Sequence, residues 1–143
     1  MKGDFTIADD IPPLIPEATY TVMLDHFVTC YMFSKAKKLV LNFSITSYGK
    51  HYGLKLPRYY NVMKIIGRPC KNGRFQVSKK CDFMREFYTL FENPAKRLDR
   101  IPMSLFKGVE FEARVKTVRE ARGKKIPKPL QYSKIDELMR VVR

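Results

Sequence analysis

Between Asp25 and Asp82 the chain has no aspartate and no glutamate. The same stretch, His26 to Cys81, carries twelve lysines and arginines and nine tyrosines and phenylalanines. It therefore accounts for +12 of the chain's formal net charge of +14, while the rest of the chain has sixteen basic and fourteen acidic side chains. Other absences narrow the field. No apolar run approaches the roughly 18 residues that span a bilayer, which argues against a membrane protein. Met1-Lys2-Gly3-Asp4 lacks a hydrophobic signal core, an expectation of an intracellular, cytoplasmic protein. Cys30, Cys70 and Cys81 form no C-x-x-C pair, and His26 and His51 are the only histidines. A structural zinc site needs four converging ligands, so neither metal nor other cofactor is expected, and the thiols read as ordinary cysteines of a reducing compartment. No G-x-x-x-x-G-K, G-x-S-x-G or H-E-x-x-H occurs, which removes P-loop, serine-hydrolase and zinc-protease chemistry. Asp82, Glu86, Glu110 and Glu112 could serve a metal-dependent nuclease by residue type alone. Solvated faces explain them more simply, and the chain reads as a non-enzyme.

What is present points to a polyanion. The 143 residues are 45% hydrophobic and 13% aromatic, enough for one folded domain, with a sequence pI near 9.8. Lysine and arginine neutralise phosphates and release counterions, while tyrosine and phenylalanine offer flat faces to unstacked bases. Basic charge interleaved with aromatics is what a groove for single-stranded nucleic acid requires.

Along the chain, three prolines make Asp9 to Pro16 an extended arm, and residues 1–17 are set apart as such. Ala18 to Phe33 reads as a long strand on β-propensity. After a basic turn, Leu39, Leu41, Phe43 and Ile45 alternate with Lys38, Val40, Asn42, Ser44 and Thr46, one core face and one mostly small, polar face. A glycine-bracketed connection, Ser47 to Gly53, leads to a third strand, Leu54 to Ile66, with Pro57 marking a bulge or an edge. Gly67 to Gly73 is a basic loop. Ser78 is the expected N-cap of a helix running to about Phe91, with a Phe83, Phe87, Leu90/Phe91 stripe, stopped by Asn93-Pro94. An irregular stretch over 95–106 follows. Val109, Phe111, Ala113 and Val115 alternate with charged residues as a fourth strand. Arg119 to Lys128 is a basic segment that could supply a fifth. Ser133-Lys134-Ile135-Asp136 reads as a capping box opening a C-terminal helix over 131–143, with Ile135, Leu138, Met139 and Val142 on one face.

This order predicts a mainly β fold with helices, α+β in class. It is the order of an OB-fold, a five-stranded Greek-key barrel with a helix between strands three and four, here over residues 18–130. The basic places coincide with the elements that border an OB-fold's ligand groove.

Three segments carry a family likeness: Glu17-Ala18-Thr19-Tyr20-Thr21-Val22, Lys38 to Ile45, and Phe106-Lys107-Gly108-Val109 through Val115. They resemble phage and mobile-element proteins encoded among replication and recombination genes and regarded as OB-fold single-stranded DNA-binding proteins. The likeness spans most of residues 17–118. It implies non-enzymatic, largely sequence-independent binding of single-stranded DNA during replication or recombination, with replication or recombination proteins as candidate partners. Single OB modules cover few nucleotides, so self-association as a homo-oligomer is left open. The chain ends Leu138 to Arg143, basic, unlike the acidic tail of housekeeping single-stranded DNA-binding proteins, so recruitment through such a tail is not implied.

The residues expected to bind are Lys35, Lys37 and Lys38 in the first loop; Tyr48, Lys50, His51 and Tyr52 at the hairpin tip; and Lys55, Arg58, Tyr59, Tyr60 and Lys64 on the third strand. Arg68, Lys71 and Arg74 follow in the basic loop, then Arg119, Arg122, Lys124 and Lys125 in the second cluster. Tyr59 and Tyr60 point to opposite faces of a strand, one to the core and one to the groove; the alternation does not say which. Phe75 is expected to pack under the helix. An RNA-binding module and a protein-interaction or inhibitor module are the rival readings.

Overall fold

A computed structural model describes residues 12–32, 35–91, 102–121 and 123–142. The expected Asn93-Pro94 helix stop, most of the irregular stretch and Arg122 lie outside them. The protein is mainly β, with one α-helix among the described residues and a five-stranded antiparallel sheet. Strands β1 (Ala18–Met32) and β2 (Ala36–Ile45) pair along nearly their whole length. The period-2 pattern of β2 is realised, since Leu39, Leu41, Phe43 and Ile45 are buried to within 1%. A register shift between Leu24 and His26 bends β1. Ala18 to Met23 can therefore also pair with β6 (Glu110–Val118), while the second half of β1 turns away.

The third strand is shorter than its sequence suggests. β3 (Lys55–Asn61) pairs with β2 as an edge strand, where Pro57 costs no ladder bond. Beyond Asn61, β2 has run out. The Val62 N–H still bonds to Lys37 O, but the Met63 N–H goes to Gln76 O. A separate hairpin results, β4 (Lys64–Ile66) with β5 (Arg74–Gln76). Its connecting loop docks on the bent half of β1 through Thr29 N–H to Cys70 O and Asn72 N–H to Phe27 O, 3.0 and 2.9 Å.

The helix α1 (Asp82–Leu90) starts later than the expected Ser78 cap. Ser78 instead makes a turn, its Oγ accepting from the Lys80 N–H, and Cys81 Sγ takes the cap position by accepting from the Met84 N–H. The phenylalanine stripe is core: Phe83 and Phe87 are 1% exposed and stack on each other with centroids 5.8 Å apart. Phe106, from a 3-10 turn at Met103–Phe106, packs between Phe87 and Phe111. Phe75 is half-buried against Phe27 and Phe83.

Two expectations for the C-terminal third are corrected. The Arg119 to Lys128 segment does not supply the fifth strand of the sheet; β7 (Glu120–Ala121) and β8 (Lys124–Lys125) form a small ribbon of their own. The fifth strand is β9 (Tyr132–Val141), where a helix was expected. The apolar spacing of 135, 138, 139 and 142 fits a helix. It fits equally a strand with register shifts, and β9 has one between each of its partner pairs Glu112/Ala113 and Arg114/Val115. The open edge of β6 needs hydrogen-bond partners, and β9 provides them. Ser133 caps nothing: fully buried, it accepts from the Ile15 N–H at 2.8 Å and donates to Ile15 O at 3.2 Å. Residues 13–15 of the arm are thus pinned beside β9, with Ile15 in the core.

The sheet order is β3-β2-β1-β6-β9. Its two edge strands, β3 and β9, lie next to each other, and α1 packs against both.

Candidate nucleic-acid interface

The outward face of β1, β2 and β3 is built in rows by the strand register. Met23, Ser44 and Lys55 form one row; His26, Asn42 and Pro57 the next; then Val28, Val40 and Tyr59; then Cys30, Lys38 and Asn61. An apolar centre with an aromatic ring is therefore flanked by polar and basic side chains. Lys38 Nζ donates to Asn61 Oδ1 at 2.5 Å, and Lys37 Nζ to Met63 O at 3.4 Å. Tyr59 lies in the apolar row, its hydroxyl pushed up to about 12 by burial first and by the neighbouring Tyr132 and Cys30 second. Burial also raises the Cys30 thiol, against the pull of Lys38.

The alternation on β3 decides between the paired tyrosines. Tyr60 is the core residue, 2% exposed, its ring edge-on to Phe83 and its hydroxyl donating to Glu86. Arg58 shares that inward phase. Its guanidinium sits 4.2 Å over the Tyr60 ring and forms a two-pronged ion pair with Glu86, so it is not part of the basic outer face. Burial works against its charge, but the Glu86 carboxylate outweighs that and raises its pKa. Glu86 was legible only as a carboxylate on a solvated helix face; it is 3% exposed.

Of the twelve cations in the acid-free stretch, Lys55 and Arg58 alone meet a carboxylate among the described residues. Lys35, Lys37, Lys50, Lys64, Arg68, Lys71 and Arg74 are exposed and Lys38 half-buried, without acidic partners there. Lys71 is held on the β1 edge by its bridge to Val28. By contrast, three acids of β6 and β9 are neutralised in place: Glu112 by Arg140 at 2.7 Å, and Asp136 and Glu137 by Arg114 at 3.0 and 3.4 Å.

The hairpin tip between β2 and β3 presents Tyr48 and Tyr52 at 105% and 68% exposure, with Lys50 beside them. His51 turns back, half-buried, edge-on to Tyr20 at 6.0 Å. In the second cluster Lys124 and Lys125 are exposed, whereas Arg119 is tied to Glu17 at 3.1 Å. Glu17 is held below the usual carboxylate range by the Thr117 N–H first and Arg119 second.

One group of residues escaped the sequence. At the bend in β1, His26 Nδ1 lies 3.2 Å from Asp25 Oδ2 and Nε2 lies 3.3 Å from Asn42 Nδ2. Asp25 reaches Lys55 at 3.2 Å, and Lys55 donates to Ser44 Oγ at 2.6 Å. The polar face of β2 was visible in its alternation, but the bend that sets His26 beside Asn42 was not.

Among the described residues no cluster of three or more His, Cys, Asp or Glu could hold a metal, and no helix is long and apolar enough to cross a membrane. Compared with known proteins, the chain matches no family model, no curated protein and no solved structure.

Proposed function

We propose that this protein is a non-enzymatic OB-fold protein that binds single-stranded DNA, largely without sequence preference, in the replication or recombination of a phage or mobile element. The observation that carries the reading is the outward face of β1–β2–β3, where Val28, Val40 and Tyr59 form an apolar row beside Lys38 and Lys71, which meet no carboxylate among the described residues. An aromatic platform inside a basic groove is how such proteins hold a strand: stacking on the bases, charge on the phosphates. The strand order, with β9 next to β3 and a helix before the fourth strand, supports the barrel that the resemblance implies. Lys37, Lys38 and Lys71 contact phosphates, Tyr59 stacks, and Tyr48, Tyr52 and Lys50 extend the path at the hairpin tip.

Fluorescence anisotropy with single-stranded DNA, duplex DNA and RNA across a salt series tests this. Single strands bind tightest, and affinity falls steeply with salt. Equal binding of duplex, or binding indifferent to salt, would overturn the proposal; tighter binding of RNA would move it to the RNA reading.

A further inference from the structure

We propose that Asn42 distinguishes bases at this interface, and that His26 sets which end of the Asn42 carboxamide meets the base; this rests on the single-strand reading above. Asn42 sits one row from Tyr59 on the same face of the sheet, within reach of the edge of a base stacked on that ring. Its amide is not free to turn. Nδ2 can only donate, so His26 Nε2 is the acceptor, and the imidazole proton is on Nδ1, which donates to Asp25 Oδ2. With His26 neutral, Asn42 therefore turns its Oδ1 to the ligand, an acceptor that suits the exocyclic amino group of cytosine or adenine. Protonation at Nε2 makes that nitrogen a donor. The amide must then reverse, and its NH2 end meets the ligand, which suits the exocyclic carbonyl of thymine. The groups that meet the imidazole are Asp25 on its own strand and Asn42 on β2; behind Asp25 stands Lys55 on β3, which also donates to Ser44. Asp25 keeps its negative charge through this change, because Lys55 first and His26 second hold it below the usual carboxylate range.

Cytosine and thymine differ at position 4 by this amino-for-carbonyl exchange. The test measures anisotropy with oligo-dT and with its counterpart in which every second base is dC, at fixed ionic strength, on both sides of the imidazole titration. Above it the dC-containing strand binds about five- to tenfold tighter, the worth of one good hydrogen bond; below it the preference closes or reverses. Asn42→Ala binds both strands alike at either pH, and His26→Phe abolishes the pH dependence. Binding of both strands with a ratio indifferent to pH and to Asn42→Ala overturns this inference alone. Failure to bind either strand at low salt overturns the single-strand reading, and the inference with it.

Discussion

Arg58 of β3 and Glu86 of α1 form a buried ion pair between an edge strand of the sheet and the helix packed on it. The same carboxylate accepts from the Leu138 N–H of β9 at 2.8 Å and from the Tyr60 hydroxyl at 3.1 Å. One side chain thus joins the two edges of the sheet, at the place where register shifts leave the Leu138 amide needing an acceptor. Removing Arg58 would leave Glu86 charged and unpaired in the interior. Arg58→Ala is expected to lower stability by about 3–5 kcal/mol in urea or guanidinium unfolding. Its effect on DNA binding follows the folded fraction, and the slope of affinity against salt stays at the wild-type value. A shallower salt slope in fully folded Arg58→Ala would mean that the guanidinium reaches phosphate.

Glu86→Leu tests the other side of the same contact. It orphans the Leu138 amide and the Tyr60 hydroxyl as well as Arg58, whereas Glu86→Gln keeps an acceptor for both. Each orphaned buried group costs about 1–3 kcal/mol, so Leu is expected to be the more damaging by at least that amount. Hydrogen exchange at Leu138, read together with the unfolding midpoints, shows the difference. Equal midpoints for the two variants would contradict the bridging role.

How far the sequence carried follows from which contacts are local. β2 and β6 were legible because Leu39/Leu41/Phe43 and Phe111/Ala113/Val115 alternate without interruption, and the Phe83/Phe87 stripe because a helix repeats every turn. Arg58 was misread because its partner is 28 residues away on another element, and an isolated strand arginine looks like surface charge. β9 was misread for a related reason: its irregular register mimics helical spacing, and only the open edge of β6 makes it a strand. The acid-free stretch identified a basic region but not its division. Part of that region, Arg58 and Tyr60 with Phe43, holds the fold together, and most of its other lysines and arginines lie on the surface.

Gly73 fits where no other residue does. A Cβ there would lie 2.2 Å from Thr29 Oγ1 and 2.9 Å from Cys70 O, too close for either to remain. The Thr29 hydroxyl is itself engaged, accepting from the Cys70 N–H at 3.2 Å. Gly73→Ala is expected to push the β4–β5 loop off β1 at a cost of about 1–3 kcal/mol. Protease nicking within 67–73 would rise with it; unchanged stability and unchanged nicking would count against this docking.

The raised hydroxyl of Tyr59 gives a stability effect of known sign. Its folded-state value of about 12 exceeds the ordinary 10.0, so the folded form favours the neutral phenol. That contribution is complete below pH 10.0 and is lost as pH rises toward about 12. Tyr59→Phe should lose stability less steeply than wild type across that window. Parallel unfolding curves for the two proteins would show that the Tyr59 hydroxyl is not shielded.

Stacking and charge can be separated on the outer face. Tyr59→Ala removes a platform and is expected to weaken single-strand binding by about 1–3 kcal/mol at every salt concentration, leaving the salt slope unchanged. Tyr59→Phe keeps the ring and most of the affinity. On the proposed reading Lys38→Ala and Lys71→Ala each remove a phosphate contact, so each should flatten the salt slope by about 0.7, the value for one contact on a single strand. Lys116→Ala, on the outward side of β6 away from the apolar row, should change neither quantity. If Lys116→Ala weakened binding as much as Lys38→Ala, the groove would not be confined to β1–β2–β3. The charge would then act as a diffuse field over the whole molecule.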